Sequence, residues 1–99
     1  MQTPMGYEFR TTLVEDFQIA SCFGEEAVRT TYQEVFNDWK DNIVWMAEMY
    51  IALNWEIRRL YQTNEKLALV YDELWRELGE YVYNHFEGKD LTFFFEVTD

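Results

Sequence analysis

Cys22 and His85 are the residues in this chain that come closest to a catalytic pair. A thiol nucleophile needs a base within hydrogen-bonding reach and a third group that orients the base. The chain has one cysteine and one histidine, and no nucleophile-turn motif surrounds Ser21. Because Cys22 adjoins Phe23 near a predicted helix end, a small buried thiol is the simpler interpretation. We therefore expect no catalytic residues and do not predict an enzyme.

The carboxylates do not form a recognisable metal-binding motif. Zinc sites use Cys and His ligands, and carboxylate-bridged di-metal bundles use paired Glu-x-x-His motifs, whereas here Val82 lies three residues before His85. We expect no metal and no cofactor. Glu48 stands out because its neighbours are apolar. If it is buried it must be paired or protonated, with Arg29 or Arg76 as partner, and the alternative is a narrow solvent-facing stripe.

Five acidic residues cluster on one predicted helix, and we call them the acidic face: Asp72, Glu73, Glu77, Glu80 and Glu87. The four glutamates follow the spacing i, i+4, i+7 and i+14, so they lie near one stripe, with the aspartate beside it. Neighbouring stripe positions are about 5–6 Å apart, which is comparable with phosphate spacing along a nucleic-acid strand. This pattern suggests a surface that imitates DNA and binds a basic protein. The alternative is a solvated face that only keeps the protein soluble.

Aromatic residues offer a second kind of contact surface. Aromatic side chains make up 19% of the chain, including four tryptophans, and Trp and Tyr are favoured anchors at protein interfaces. We name Trp45, Trp55 and Phe94 as candidates for an interface with a partner or a second copy. Burial of the tryptophans in the core is the competing interpretation.

Composition restricts the classes of partner. Acidic residues outnumber basic ones 19 to 8, which gives a formal net charge of −11. Such a surface repels nucleic acid and anionic membranes, so we expect neither as a direct partner. A basic host protein or a homodimer fits better.

With 48% hydrophobic residues over 99 positions, the chain can form one domain spanning residues 1–99. The single cysteine and a first segment without the features of a secretion signal predict a cytoplasmic protein.

Alternation of β-forming residues predicts a strand at each end of the chain, over Tyr7–Val14 and Leu91–Val97. A short helix from Asp16 to Cys22 and three main helices lie between them, starting at about Glu25, Asn42 and Asn64. The first half of the middle helix is apolar nearly all round, which is typical of a central helix. The predicted fold is therefore α+β, with the two terminal strands forming an antiparallel pair.

Three segments carry a resemblance to a known group. DFQIASCFGEEAVRTTYQEVFNDWK, ALNWEIRRLYQTNEKLALVYDELW and TFFFEVTD together resemble small acidic proteins of uncharacterised function that conjugative elements and phages of gut bacteria carry. The resemblance implies an accessory protein of a mobile element, for which countering host defence is a recurring task. We expect a non-enzymatic protein-binding protein with a DNA-mimic-like acidic surface. The alternative is a homo-oligomeric structural protein whose charge serves only solubility.

Overall fold

The chain folds into five α-helices in a computed structural model, which describes residues 4–99 and their side chains from Glu8 onward. The helices are α1 Pro4–Phe23, α2 Glu25–Trp39, α3 Ile43–Leu60, α4 Glu65–His85 and α5 Lys89–Thr98. Over these described residues the structure contains no β-strand, so the predicted α+β fold is wrong. Residues 1–3, where we looked for a secretion signal, lie outside the described range.

Helix α3 lies at the centre, as its apolar character predicted. It packs on α4, α1 and α5, and more lightly on α2. Its N-terminus begins after Asn42, whose side chain accepts hydrogen bonds from the backbone N–H groups of Val44 and Trp45 at 3.0 and 3.2 Å. Such a cap pairs N–H groups that the first turn leaves without an intrahelical acceptor. The consecutive residues Met46, Ala47, Glu48 and Met49 are all buried, so α3 is covered on every side along this turn.

The predicted N-terminal strand is part of α1. Over residues 7–14 the alternation of apolar residues imitates a strand, but a helical period fits a longer stretch. Arg10, Leu13, Phe17 and Ala20 follow i, i+3, i+7 and i+10, and all four are buried. This stripe runs through the predicted strand and the short helix without a break. The two elements are therefore one helix of 20 residues. The side chain of Tyr7 lies outside the described residues.

The predicted C-terminal strand is helix α5. A strand would have turned Phe94 away from Leu91, Phe93 and Phe95. In the structure Phe94 is 3% exposed and Phe95 is 52% exposed, because a helix turns adjacent residues about 100° apart. Phe94 packs against Tyr50 of α3 with ring centroids 5.0 Å apart. The apolar run is thus the docking face of a short helix.

Two glycines form the tight connections between helices. Gly24, between α1 and α2, has φ of 108°, and Gly88, before α5, has φ of 63°. Residues other than glycine rarely adopt these backbone φ values. Asn64 caps α4 by accepting from Leu67 N at 3.2 Å, as predicted. No helix in the described part of the chain is both long enough and apolar enough to span a membrane.

Candidate interaction surface

Four of the five residues of the acidic face lie on α4, on the side away from the core, and Glu87 lies two residues beyond the end of that helix. Glu73, Glu77, Glu80 and Glu87 are exposed and Asp72 is half-buried. The apolar side chains of α4, among them Leu74, Leu78 and Val82, point inward on the opposite side. The helical spacing therefore places Glu73, Glu77 and Glu80 on one accessible surface of this helix, whereas the predicted position of Glu87 on the same helical stripe is wrong.

Two members of the acidic face are neutralised within the chain. Arg29 of α2 contacts Glu73 with Nη1 and Nη2 at 2.9 and 3.3 Å, and also contacts Glu25 at 3.0 Å. The hydrogen bonds that Arg29 donates to Glu73 raise the pKa of Arg29 above its ordinary value and lower the pKa of Glu73. Arg76 contacts Asp72 at 2.9 Å one turn along α4. The N-terminal part of the face is thus charge-balanced.

The remaining three carboxylates of the acidic face are exposed. In the part of the chain that the structure describes, Glu77, Glu80 and Glu87 form no ion pair. The face borders α2, because Glu77 contributes, after burial, to raising the pKa of Tyr32 on that helix. In the same way Asp41, after burial, contributes to raising the pKa of Tyr81 on α4. Negative charge therefore also lies beside the stripe, between α2 and α3.

Glu48 is buried, and its partner is Arg10, not Arg29 or Arg76 as the sequence suggested. The side chains of Arg10 and Glu48 are 7% and 5% exposed, and Arg10 Nε lies 2.6 Å from Glu48 Oε1. Arg10 also lies over the ring of Trp55 at 5.1 Å, a cation–π contact. The strand interpretation hid this pair because it did not place position 10 on a helix facing α3.

A second group of buried polar side chains joins α1, α3 and α4. Glu56 is 1% exposed and is held by Arg59 Nη2 at 2.6 Å. Tyr71 Oη donates to the backbone carbonyl of Phe17 at 2.8 Å and lies 2.6 Å from Ser21 Oγ. Burial raises the pKa of Tyr71 to about 12. These contacts satisfy buried polar atoms, as a structural network does.

The three candidate aromatic residues differ in accessibility. Trp45 is half-buried and packs against Phe9 with ring centroids 4.1 Å apart. Trp55 is exposed on one side while the other covers Arg10. Phe94 belongs to the core. Trp55 is therefore the most accessible of the three, and Phe94 offers no surface to a partner while α5 stays docked.

Cys22 lies on α1 and His85 is the last residue of α4, and the two lie far apart. Cys22 follows Ser21, which contacts Tyr71, and His85 lies fourteen residues beyond Tyr71, about 21 Å at the helical rise. His85 Nδ1 is instead 2.9 Å from the carbonyl oxygen of Tyr81. The structure does not bring these two residues together as a nucleophile and base. Among the described residues, no group of three or more His, Cys, Asp or Glu side chains could hold a metal ion.

The sequence alone did not reveal a groove between α1 and α2. It has a volume of about 450 Å³ and contains the exposed side chains of Ile19 and Phe23. The sequence did contain a pattern that could have indicated it, since Asp16, Ile19 and Phe23 follow i, i+3 and i+7 on the outer side of α1.

No family model, curated protein or solved structure is significantly similar to this chain.

Proposed function

We propose that this protein is a non-enzymatic binding protein whose acidic face contacts a basic surface of another protein. The observation that carries the proposal is the unpaired state, among the described residues, of Glu77 and Glu80 on one exposed side of α4 and of Glu87 just beyond its C-terminal end. The net charge of −11 adds long-range attraction for a cationic partner. Electrostatic complementarity of this kind increases the association rate and selects partners by charge.

Imitation of DNA is the specific form of this proposal. The Cβ atoms of residues three or four apart on a helix, such as Glu73, Glu77 and Glu80, are about 5–6 Å apart, so a basic groove that tracks phosphates could bind their carboxylates instead. The resemblance to small acidic proteins of mobile elements supports a DNA-handling host protein as the target. The charge-balanced end of the face, at Asp72 and Glu73, limits the contact to the C-terminal half of α4.

Charge reversal tests the proposal directly. The variant Glu77→Lys/Glu80→Lys changes the formal net charge from −11 to −11 + 4 = −7. Wild type and variant serve as baits in a nuclease-treated bacterial lysate, with stepped-salt elution and mass spectrometry. The proposal expects a basic DNA-handling protein that elutes at moderate salt from wild type. Its affinity, remeasured with the purified partner, should fall about tenfold or more for the variant.

The matched control is Glu8→Lys/Glu96→Lys, which has the same net charge but changes exposed residues of α1 and α5. If it weakens the complex as much as the α4 variant, only overall charge matters and the acidic face is not the binding site. A partner that elutes from all three baits at the same salt concentration would also contradict the proposal.

A homo-oligomer is the second candidate, and one groove favours it. Tyr61 and Leu69 are 62% and 61% exposed beside a groove of about 200 Å³ between α3 and α4. Asp72 and Arg76 on its rim pair with each other, so two copies could meet there with less repulsion than elsewhere. Light scattering over a range of concentrations tests this, because a dimer through this groove would be lost in Tyr61→Ser/Leu69→Ser.

A further inference from the structure

The groove between α1 and α2 exposes large apolar side chains that the core does not use. Ile19 is 60% exposed and Phe23 is 80% exposed. Across the groove, Ala27 and Val35 of α2 are half-buried and complete an apolar floor. An apolar floor between two helices is the geometry that receives one face of a third helix.

Carboxylates form the rim of this groove. Asp16 lies on the α1 side, and Glu34 and Asp38 lie one turn apart on the α2 side. All three are exposed, and in the described part of the chain none forms an ion pair. The residues that line the groove include no Lys or Arg. The groove is therefore apolar at its floor and negative on both sides.

This charge distribution selects one kind of occupant. In a two-fold dimer the same patch meets itself, so a second copy would place these acidic rims against each other. An anionic membrane is repelled for the same reason. A helix with an apolar stripe between two rows of Lys or Arg matches the floor and the rim together.

We propose that the α1–α2 groove binds a cationic amphipathic helix of a partner protein. The α2 side runs from Ala27 to Asp38, about 16 Å at the helical rise, so the bound segment spans about three turns. The inference rests on the proposed function in taking the partner to be cationic. It adds a second contact site, on α1 and α2, with its own apolar specificity.

The experiment uses the full chain and designed peptides. The first is a fluorescein-labelled helix of about 14 residues, with leucines on one face and lysines on both flanks. Two others have the same composition in scrambled order, or glutamate in place of lysine. Fluorescence anisotropy should show saturable binding of the first peptide and at least tenfold weaker binding of the others. Backbone NMR shifts should map the site to residues 16–38.

Variants of the protein separate this groove from other surfaces. Ile19→Ser/Phe23→Ser should weaken peptide binding about tenfold or more, because it removes the apolar floor. Tyr61→Ser/Leu69→Ser removes two exposed apolar side chains elsewhere, 62% and 61% exposed, and should leave the affinity unchanged. Both pairs lie on the surface, and circular dichroism verifies that each variant is folded.

Several results would overturn the inference. Equal binding of the scrambled peptide would mean that charge alone holds the ligand. Unchanged binding by Ile19→Ser/Phe23→Ser would place the peptide elsewhere. A concentration-dependent dimer that this variant abolishes would make a second copy the occupant. If the cationic peptide does not bind but Glu77→Lys/Glu80→Lys still weakens the complex in the lysate experiment, the groove is rejected and the acidic face remains the proposed site. If the peptide binds in the groove but Glu77→Lys/Glu80→Lys has no effect on the complex, only the acidic face is rejected.

Discussion

Replacing Arg10 by methionine isolates the contribution of the buried ion pair between α1 and α3. Methionine keeps a long, helix-compatible side chain but leaves the carboxylate of Glu48 buried, since that side chain is only 5% exposed. Removing one partner of a buried pair costs about 3–5 kcal/mol, a large part of the 5–15 kcal/mol typical of a domain. With an m-value near 1.5 kcal/mol/M, the urea midpoint should fall by about 2–3 M.

A double-mutant cycle shows whether the loss comes from the unpaired charge. Arg10→Met/Glu48→Leu replaces both charges by apolar groups, so its free energy of unfolding should lie within about 2 kcal/mol of wild type. Arg29→Met is the control, because its pairs lie at the surface and contribute little. The reasoning is refuted if the free energy of unfolding of Arg10→Met lies within about 1 kcal/mol of the wild-type value, or if the double variant is less stable than Arg10→Met.

Two further predictions concern stability. Burial raises the pKa of Tyr71 from 10.0 to about 12, so the folded state keeps a proton that the unfolded chain releases. Stability should therefore fall by up to about 2–3 kcal/mol as pH rises from about 10 to 12, and urea midpoints for Tyr71→Phe should fall less steeply. Gly24→Ala should lower stability by about 1–3 kcal/mol, because Gly24 has φ of 108° and ψ of −176°, a combination essentially restricted to glycine, while the added Cβ meets nothing within 4 Å. An unchanged melting temperature would contradict this backbone argument.

The central part of the fold was predictable because its signals are local. The caps at Asn42 and Asn64 and the positive φ of Gly24 depend on the residue itself and its near neighbours. The central position of α3 could be predicted because its apolar surface is too wide to be covered by a single neighbouring helix. These features need only the chain's own helical geometry.

The two ends of the chain were predicted wrongly because a short apolar run is compatible both with the two-residue repeat of a strand and with the 3.6-residue repeat of a helix. Phe9, Thr11 and Leu13 alternate as in a strand, and so do Phe93, Phe95 and Val97. At the N-terminus the deciding residue is Arg10, whose burial depends on Glu48 across the helix interface. At the C-terminus it is Phe94, which is buried by Tyr50. A single sequence does not reveal these tertiary contacts, which decided both ends.

The candidate interaction surface also has a part that could be predicted from local sequence and a part that depends on tertiary contacts. The shared side of Glu73, Glu77 and Glu80 could be predicted, since a helix fixes which of its residues share a side, but the end of α4 before Glu87 was not foreseen. The charge balance at Glu73 was missed, because it depends on Arg29 of another helix reaching across at 2.9 Å. The groove beside Phe23 was also missed, because it exists only once α2 folds back along α1.

The docking of both terminal helices on α3 changes how the chain can fold. An antiparallel strand pair would have required residues near positions 7 and 97 to meet, which closes a loop of almost the whole chain at a large entropic cost. Instead α1 packs on the adjacent α2, and α4 on the adjacent α3. Helical proteins dominated by such short-range contacts fold in microseconds to milliseconds. Two helical hairpins can therefore form early, and their association through α1 and α3 completes the core.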